Sequence, residues 1–252
     1  MKMLDLQAVY VMWLRQMKRF FRSKGRLATT IIQPLFFLLI LGSGFRSIAT
    51  GLGGDYLHFL APGIITMAIL FSSMFTGISV LWDKQFGFLQ EVLVAPVSRI
   101  SIIIGRTLGG TTTALIQGFI ILIIAIGLGV PVSSIFGLFL TVILMILIAF
   151  SAVGFGLVLA SKMQDFQAFP LIMNLIIMPL LFLSSAFFPV SQNQTMQTIA
   201  YVNPMFYMVD GLRGALIGSN NILPIYIDFI VVIAFCILMM GIGSYFFSKS
   251  EA

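Results

Sequence analysis

The chain has 252 residues with a net charge of +6, and 60% of its residues are hydrophobic while only 9% are charged. A soluble domain has about 45–50% apolar and about 25% charged residues, and a disordered chain needs low hydrophobicity and high charge. Both classes are therefore excluded, and the composition predicts an all-α integral membrane protein that crosses the bilayer several times.

The first predicted element is a cationic amphipathic helix within an N-terminal segment, residues 1–26. Seven of the 14 Lys and Arg residues lie in these positions beside a long apolar run, which is typical of a flank attracted to anionic lipid headgroups and not of a nucleic-acid surface. At helical spacing the apolar residues Leu6, Tyr10, Trp13, Met17, Phe20 and Phe21 oppose Arg15, Arg19, Arg22 and Arg26. We expect an interfacial helix, acting as a lipid anchor alone or also touching a cytoplasmic partner.

Six apolar segments long enough to cross a ~30 Å hydrocarbon core follow, and together they define a six-span transmembrane domain, 27–247. The spans are predicted at 27–45, 59–82, 102–129, 134–160, 169–189 and 223–247. If the N-terminus is inside, twelve Lys and Arg residues lie on the inner side and two, Arg46 and Arg213, on the outer side. The protein is therefore expected in the plasma membrane with its N-terminus and its tail, 248–252, in the cytoplasm.

The loop between the second and third spans predicts a short amphipathic helix at 84–95. Its apolar residues Phe86, Leu89, Val92 and Leu93 share one helical face. Pro96 ends the helix because a proline disfavours helical geometry at the preceding residue. Such a helix either lies on the membrane surface alone or offers its apolar face to another protein.

The stretch after the fifth span is irregular and apolar, and it predicts short helices that re-enter the outer leaflet or cap the outer face. Asp210 and Arg213 stand three residues apart and can pair on a helix. An exposed pair of this kind is worth less than about 1 kcal/mol.

Catalytic chemistry is not visible in the sequence. There is no phosphate-binding Gly-x-x-x-x-Gly-Lys-Ser/Thr motif. None of the eight acidic residues lies near the middle of a predicted span, and Asp228 comes closest, about a turn and a half into the last one. This argues against an ion-driven carrier and an intramembrane hydrolase. A single Cys and a single His argue against a metal centre within one chain. We therefore assign no catalytic, cofactor-binding or metal-binding residues.

Two segments together resemble the type-2 ATP-binding-cassette exporter permeases. The first is FGFLQEVLVAPVSR at 86–99, followed by Gly105 and Arg106; the second is LSSAFFP at 183–189 with NPMFYMVDGLR at 203–213. Within that family the chain is most similar to the daunorubicin-resistance drug-exporter branch. Ser185 departs from the pattern, since glycine is common there.

The resemblance implies a permease subunit that is not itself an enzyme and exports an amphipathic small molecule or drug by alternating access. ATP and Mg²⁺ would be held by a separate ATP-binding subunit, present in two copies. A second permease chain would complete a homodimer. The other partner would be membrane lipid, and no nucleic acid would be bound. The helix at 84–95 would couple to the ATP-binding subunit. Its coupling residues would be Phe86, Phe88, Leu89, Glu91, Val92, Leu93, Ala95, Pro96 and Arg99.

The resemblance also assigns the first, second and fifth spans to the transport pathway and 191–213 to an outer gate. Candidate pathway residues are Gln33, Phe37, Phe71, Phe75, Asn174 and Phe182, although the amides also suit contacts between helices and Phe is common lipid-facing filler. The outer-gate candidates are Phe187, Phe188, Pro189, Asn203, Pro204, Tyr207, Asp210 and Arg213. A lipid or polysaccharide exporter of the same family and a non-transporting membrane scaffold remain alternatives. Assembly is expected to use glycine-rich faces at 105–110 and 154–156.

Overall fold

The computed structural model describes residues 5–44, 56–86, 98–190, 193–219 and 221–250. This part of the chain is helices and turns without a strand, which confirms the predicted all-α class. The helices are α1 (Leu6–Arg22), α2 (Lys24–Gly44), α3 (Tyr56–Gln85), α4 (Arg99–Gly127), α5 (Ile135–Lys162), α6 (Ala168–Phe182), α7 (Gln194–Val202), α8 (Pro204–Ile217) and α9 (Ile225–Ser250).

Four of the described helices are long and apolar enough to cross a membrane. Their membrane-compatible segments are Tyr56–Asp83, Ile100–Gly127, Ile135–Lys162 and Ile225–Phe247. The pair α1 and α2, bent by 69° between Leu6–Arg22 and Leu27–Gly42, adds a fifth if it is taken as one span. Helix α6 has 15 residues, which is about 22 Å at 1.5 Å per residue. The chain is thus a membrane protein with several apolar helices, and the predicted count of six spans remains a prediction.

Helix α3 is the central element and gives the bundle two ends. It packs against α2, α4, α5 and α8 and is almost wholly buried. Phe59 and Asp83 lie about 36 Å apart along its axis. Arg213 contacts Phe59 at one end of the helix. We therefore call the two ends of the bundle the Asp83 end and the Arg213 end. Helix α4 returns from the Asp83 end, and a turn containing Gly129 (φ 102°) leads into α5.

Helix α1 is held against α4 by its apolar side. Met17 and Phe20 are buried, and Trp13 donates a hydrogen bond from Nε1 to Thr112 Oγ1 at 3.1 Å. Gly105 and Gly109 form the surface that receives α1: a Cβ on Gly105 would stand 2.7 Å from Met12 Cβ and from Val9 O. Much of the apolar side of α1, which we expected to face lipid, is therefore covered by α4.

Filling this contact is expected to separate α1 from α4. Gly105→Val should lower the free energy of unfolding by about 1–3 kcal/mol, because the added carbons overlap α1 backbone. Gly25→Ala is the control, since its Cβ would meet nothing within 4 Å, and it should be neutral or slightly stabilising. Thermal unfolding of both proteins in nanodiscs measures the difference. Equal stability of the two variants would contradict the close packing.

The fifth predicted span does not continue as one helix to residue 189. Helix α6 ends at Phe182, and turns follow in which Ser185 has φ 62°. Helix α8 begins at Pro204, with Asn203 accepting a hydrogen bond from Met205 N–H, and ends at Gly218 with φ 74°. Helices α7 and α8 therefore occupy the region where short helices were expected. Gly154 packs against α9 backbone at Met239 within this chain, so both predicted glycine-rich faces are used internally.

Candidate functional site

A buried carboxylate joins three helices at one end of the bundle. Asp83, at the end of α3, is 3% exposed. Arg15 binds it through two bonds, Nη1 to Oδ2 at 2.9 Å and Nη2 to Oδ1 at 2.8 Å. Arg19 Nη2 lies 3.3 Å from Oδ1, and Arg106 Nη2 lies 2.9 Å from Oδ2. We call these four residues the Asp83 cluster.

The geometry of the cluster follows from helical spacing. Arg15 and Arg19 are one turn apart on α1, so both reach the same carboxylate. Arg106 comes from the second turn of α4, and its guanidinium carbon lies 5.7 Å from the centre of the Phe247 ring on α9. The two-bond geometry of Arg15 adds directional strength to the ionic contact. The carboxylate therefore fixes α1 to both α3 and α4.

The Asp83 cluster lies at the two helix ends that flank 87–97. Phe86 follows α3, is exposed, and has its ring 5.9 Å from that of Trp82. Arg99 is the first residue of α4. The other predicted coupling residues lie outside the described part of the chain: Phe88, Leu89, Glu91, Val92, Leu93, Ala95 and Pro96.

The predicted pathway residues fall into two groups. Phe37 and Phe182 both approach Phe187, with ring centres at 5.9 and 5.0 Å, so α2, the end of α6 and the turn after α6 share one aromatic contact. Phe71 is buried and Phe75 half-buried on α3, whereas the amides Gln33 and Asn174 are exposed on α2 and α6. The single chain therefore does not bring all six candidates together.

At the opposite end, Arg213 is fully buried among backbone carbonyls. Its Nη2 donates to Ser185 O at 2.7 Å and to Phe59 O at 3.2 Å, and its guanidinium carbon lies 4.1 Å from the Phe59 ring centre. Asp210 accepts hydrogen bonds from the backbone N–H groups of Ile222 and Leu223, both at 2.9 Å. We call Arg213, Asp210 and Ser185 the Arg213 cluster.

The predicted pair Asp210–Arg213 is therefore not a surface pair. The closest approach of the two side chains is 3.7 Å, and both are 0% exposed. Burial lowers the pKa of Arg213 to about 10, so the side chain stays cationic at neutral pH. Burial raises the pKa of Asp210, while its backbone donors and Arg213 act in the opposite direction. A buried pair of this kind is strongly destabilised when one partner is removed.

The remaining outer-gate candidates build the backbone around this cluster. Asn203 Nδ2 donates to Leu180 O at 2.6 Å and ties α8 to α6. Tyr207 donates from its hydroxyl to Tyr201 O at 2.8 Å, and Pro204 occupies the first turn of α8. Phe187 is buried, Pro189 half-buried and Phe188 exposed. Tyr56, which the sequence did not single out, donates to Phe187 O at 2.6 Å.

Asp228 is a buried acid that the sequence places only near the start of a span. It is 0% exposed on α9, and neither carboxylate oxygen has a hydrogen-bond partner within the described residues. A Cβ on Gly211 would stand 2.9 Å from Asp228 Cβ, so α8 and α9 are in close contact here. The sequence places Asp228 about a turn and a half into the last predicted span, and it does not indicate that the side chain is buried between α8 and α9.

Because neither carboxylate oxygen of Asp228 has a hydrogen-bond partner within the described part of the chain, Asp228→Asn is expected to leave the free energy of unfolding unchanged or to raise it by about 1–2 kcal/mol. The amide keeps the shape and removes any cost of an unpaired buried charge. Asp165→Asn is an exposed control, expected to lie within about 0.5 kcal/mol of the parent. Thermal unfolding measures both. A loss of more than about 1 kcal/mol in Asp228→Asn would mean that the carboxyl group has an essential partner.

Comparison with known sequences finds a matching family model and several similar proteins. A family model described as ABC-2 type transporter matches residues 7–217, which include both clusters. The transport permease ycf38 of Pyropia yezoensis is 31% identical over 221 residues, covering 82% of this chain and 73% of the relative. The inner membrane transport permease YadH of Escherichia coli strain K12 is 26% identical over 234 residues, covering 91% and 90%. The same strain's YbhR, named as a multidrug ABC transporter permease, is 29% identical over 159 residues, covering 62% and 43%.

Proposed function

This chain belongs to the ABC-2 type transporter family, and from that premise we propose that it is the transmembrane permease subunit of an ATP-driven exporter. ATP and Mg²⁺ bind to a separate subunit, and the permease moves cargo by alternating access. The cargo is an amphipathic small molecule or drug, a class suggested by the name of the relative YbhR and by the aromatic contact of Phe37, Phe182 and Phe187.

The observation that carries this proposal is the position of the Asp83 cluster. It ties α1, α3 and α4 together next to the segment 87–97, which in our proposal contains most of the coupling helix, 84–95. A push on 84–95 by the ATP-binding subunit reaches α3 and α4 through their ends and reaches α1 through Asp83. Because close-packed interiors transmit strain, the displacement passes along α3 toward the Arg213 cluster.

Orientation and assembly complete the proposal. The Asp83 end faces the cytoplasm, as the excess of Lys and Arg on that side favours, and both termini lie inside. The segments 27–45 and 169–189 are the remaining two of six spans, and α7 and α8 form the outer gate. Two copies of the chain, with two ATP-binding subunits, form the working transporter, since closed twofold symmetry is the commonest assembly. Exposed Gln33 and Asn174 then contact cargo or the second chain.

The test is to charge the apolar face of the coupling helix. Leu89→Glu combined with Val92→Glu is expected to abolish cargo-stimulated ATP hydrolysis by the co-purified complex, because buried carboxylates disfavour docking in an apolar groove. The measurement is ATP hydrolysis in nanodiscs with and without cargo, together with pull-down of the ATP-binding subunit. The variant should still insert in the membrane.

Ile135→Glu is the matched control, an apolar-to-acid change at a 90% exposed residue at the Arg213 end. It should leave stimulation intact. Normal stimulation in the double variant would refute the coupling role, and absence of any ATP-binding partner would favour the scaffold alternative. Stimulation by a lipid or a polysaccharide, with no response to amphipathic drugs, would refute the proposed cargo. It would still support a permease driven by a separate ATP-binding subunit.

A further inference from the structure

A groove of about 600 Å³ runs along the side of α1 that faces away from α4. Val11, Leu14, Lys18, Arg22 and Ser23 line it, together with Arg15 and Arg19 of the Asp83 cluster. Val11, Arg15, Lys18 and Arg22 follow each other at spacings of four, three and four residues, so they form one stripe of the helix.

The charged residues that line this groove are all positive. Asp83 binds Arg15 and Arg19, but no carboxylate among the described residues lies within salt-bridge distance of Lys18 or Arg22, which are both exposed. Guanidinium groups bind phosphate oxygens in a fork geometry, and lysine binds them as a point charge. The groove therefore suits an anion with several oxygens.

The neighbouring arc of the same helix is apolar and exposed. Tyr10, Leu14 and Phe21 lie beside the cationic stripe, at spacings of four and seven residues, and the two aromatic side chains are more than half exposed. A ligand that touches both arcs must combine an anionic group with a hydrocarbon part. In a membrane protein, phospholipid meets both requirements, whereas a soluble phosphate meets only the first.

We propose that the α1 groove is a binding site for the headgroup of an anionic phospholipid, with Lys18 and Arg22 as its principal phosphate contacts. Arg19 borders the site and also binds Asp83, so the bound lipid lies directly beside the Asp83 cluster. All of the described residues that line the groove belong to α1 or directly follow it, and the proposed site does not depend on the proposed cargo or on an ATP-binding partner.

Brominated lipids test the site, because bromine on acyl chains quenches nearby tryptophan fluorescence. The chain has two tryptophans, and Trp82→Phe leaves Trp13, whose ring lies 5.9 Å from that of Tyr10, as the reporter. The purified chain is placed in phosphatidylcholine vesicles containing brominated phosphatidylglycerol or brominated phosphatidylcholine. The parent should prefer phosphatidylglycerol, and Lys18→Gln combined with Arg22→Gln should reduce the preference by about tenfold.

Lys162→Gln is the matched control, since Lys162 lies at the end of α5 on the same end of the bundle; it should keep the preference. An unchanged preference in the double variant would overturn the proposal, and so would an equal loss in the control, which would indicate general surface charge. Competition by soluble glycerophosphate in a parent that lacks any lipid preference would assign the groove to a free phosphate and also overturn it. Because both substituted residues are exposed, thermal unfolding should be unchanged, which separates lost binding from lost folding.

Discussion

Replacing Arg213 with glutamine is expected to lower the free energy of unfolding by about 3–5 kcal/mol, which is the largest stability effect that we foresee for this protein. The substitution leaves Asp210 as a buried charge without its cation and removes the donors that satisfy Ser185 O and Phe59 O. Thermal and denaturant unfolding in nanodiscs measure the loss.

Two further variants show which contact of Arg213 dominates. Arg213→Lys keeps the charge but not the planar fork, so it should recover only part of the stability. Asp210→Asn added to Arg213→Gln should recover less than half, because the shortest bonds of Arg213 run to carbonyls and its distance to Asp210 is 3.7 Å. The double-mutant cycle gives the coupling between the two side chains. A loss below about 1 kcal/mol in Arg213→Gln, typical of exposed pairs, would contradict the buried geometry.

The second large effect is expected on coupling. Asp83→Asn should reduce cargo-stimulated ATP hydrolysis by about tenfold or more, since a neutral amide cannot compensate three guanidinium groups that converge on one buried position. The three cations then repel each other, and α1 loses its bond to α3. The measurement is the ratio of stimulated to basal hydrolysis in the reconstituted complex, and it rests on the proposed function.

Asp165→Asn serves as the control, because it makes the same chemical change at an exposed residue on the same end of the bundle. Asp83→Glu keeps the negative charge and should restore part of the stimulation. Binding of the ATP-binding subunit to Asp83→Asn, measured by pull-down, separates lost coupling from lost docking. Full stimulation in a stably inserted Asp83→Asn protein would rule out the cluster as a link between α1 and the coupling segment.

Apolar run length predicts four long helices and their approximate ends, but it does not predict where α6 ends. The runs that become α3, α4, α5 and α9 are long and uninterrupted, and their polar flanks mark both limits. Helix α6 ends at Phe182 and not at residue 189 because the following turn contains a residue with positive φ. Positive φ is set by the local fold and the carbonyl that Arg213 binds, and a serine at that position does not indicate it.

The partners of the charged residues could not be predicted from the sequence, for a different reason. Asp83 binds an arginine 68 residues earlier in the chain, and helical periodicity carries information over only a few turns. For Asp210 and Arg213 the spacing correctly indicates proximity but contains no information on burial. The amphipathic pattern of α1 is real, yet a pattern cannot distinguish lipid from protein as the cover of its apolar side. The signal that does so is the pair Gly105 and Gly109, four residues apart on α4, where α1 approaches closely.

The backbone conformation of Ser185 limits which residues can occupy position 185, beside the buried Arg213. The left-handed conformation at φ 62° is comfortable for glycine, tolerable for short polar residues such as Asn and Asp, and costly for β-branched ones. Its carbonyl also accepts the shortest hydrogen bond of Arg213, at 2.7 Å, so the backbone there cannot relax without releasing the guanidinium. Among functional homologues that keep an arginine at this site, we therefore expect substitution at the serine position to be confined to glycine and small hydrogen-bonding side chains, with valine, isoleucine and threonine absent.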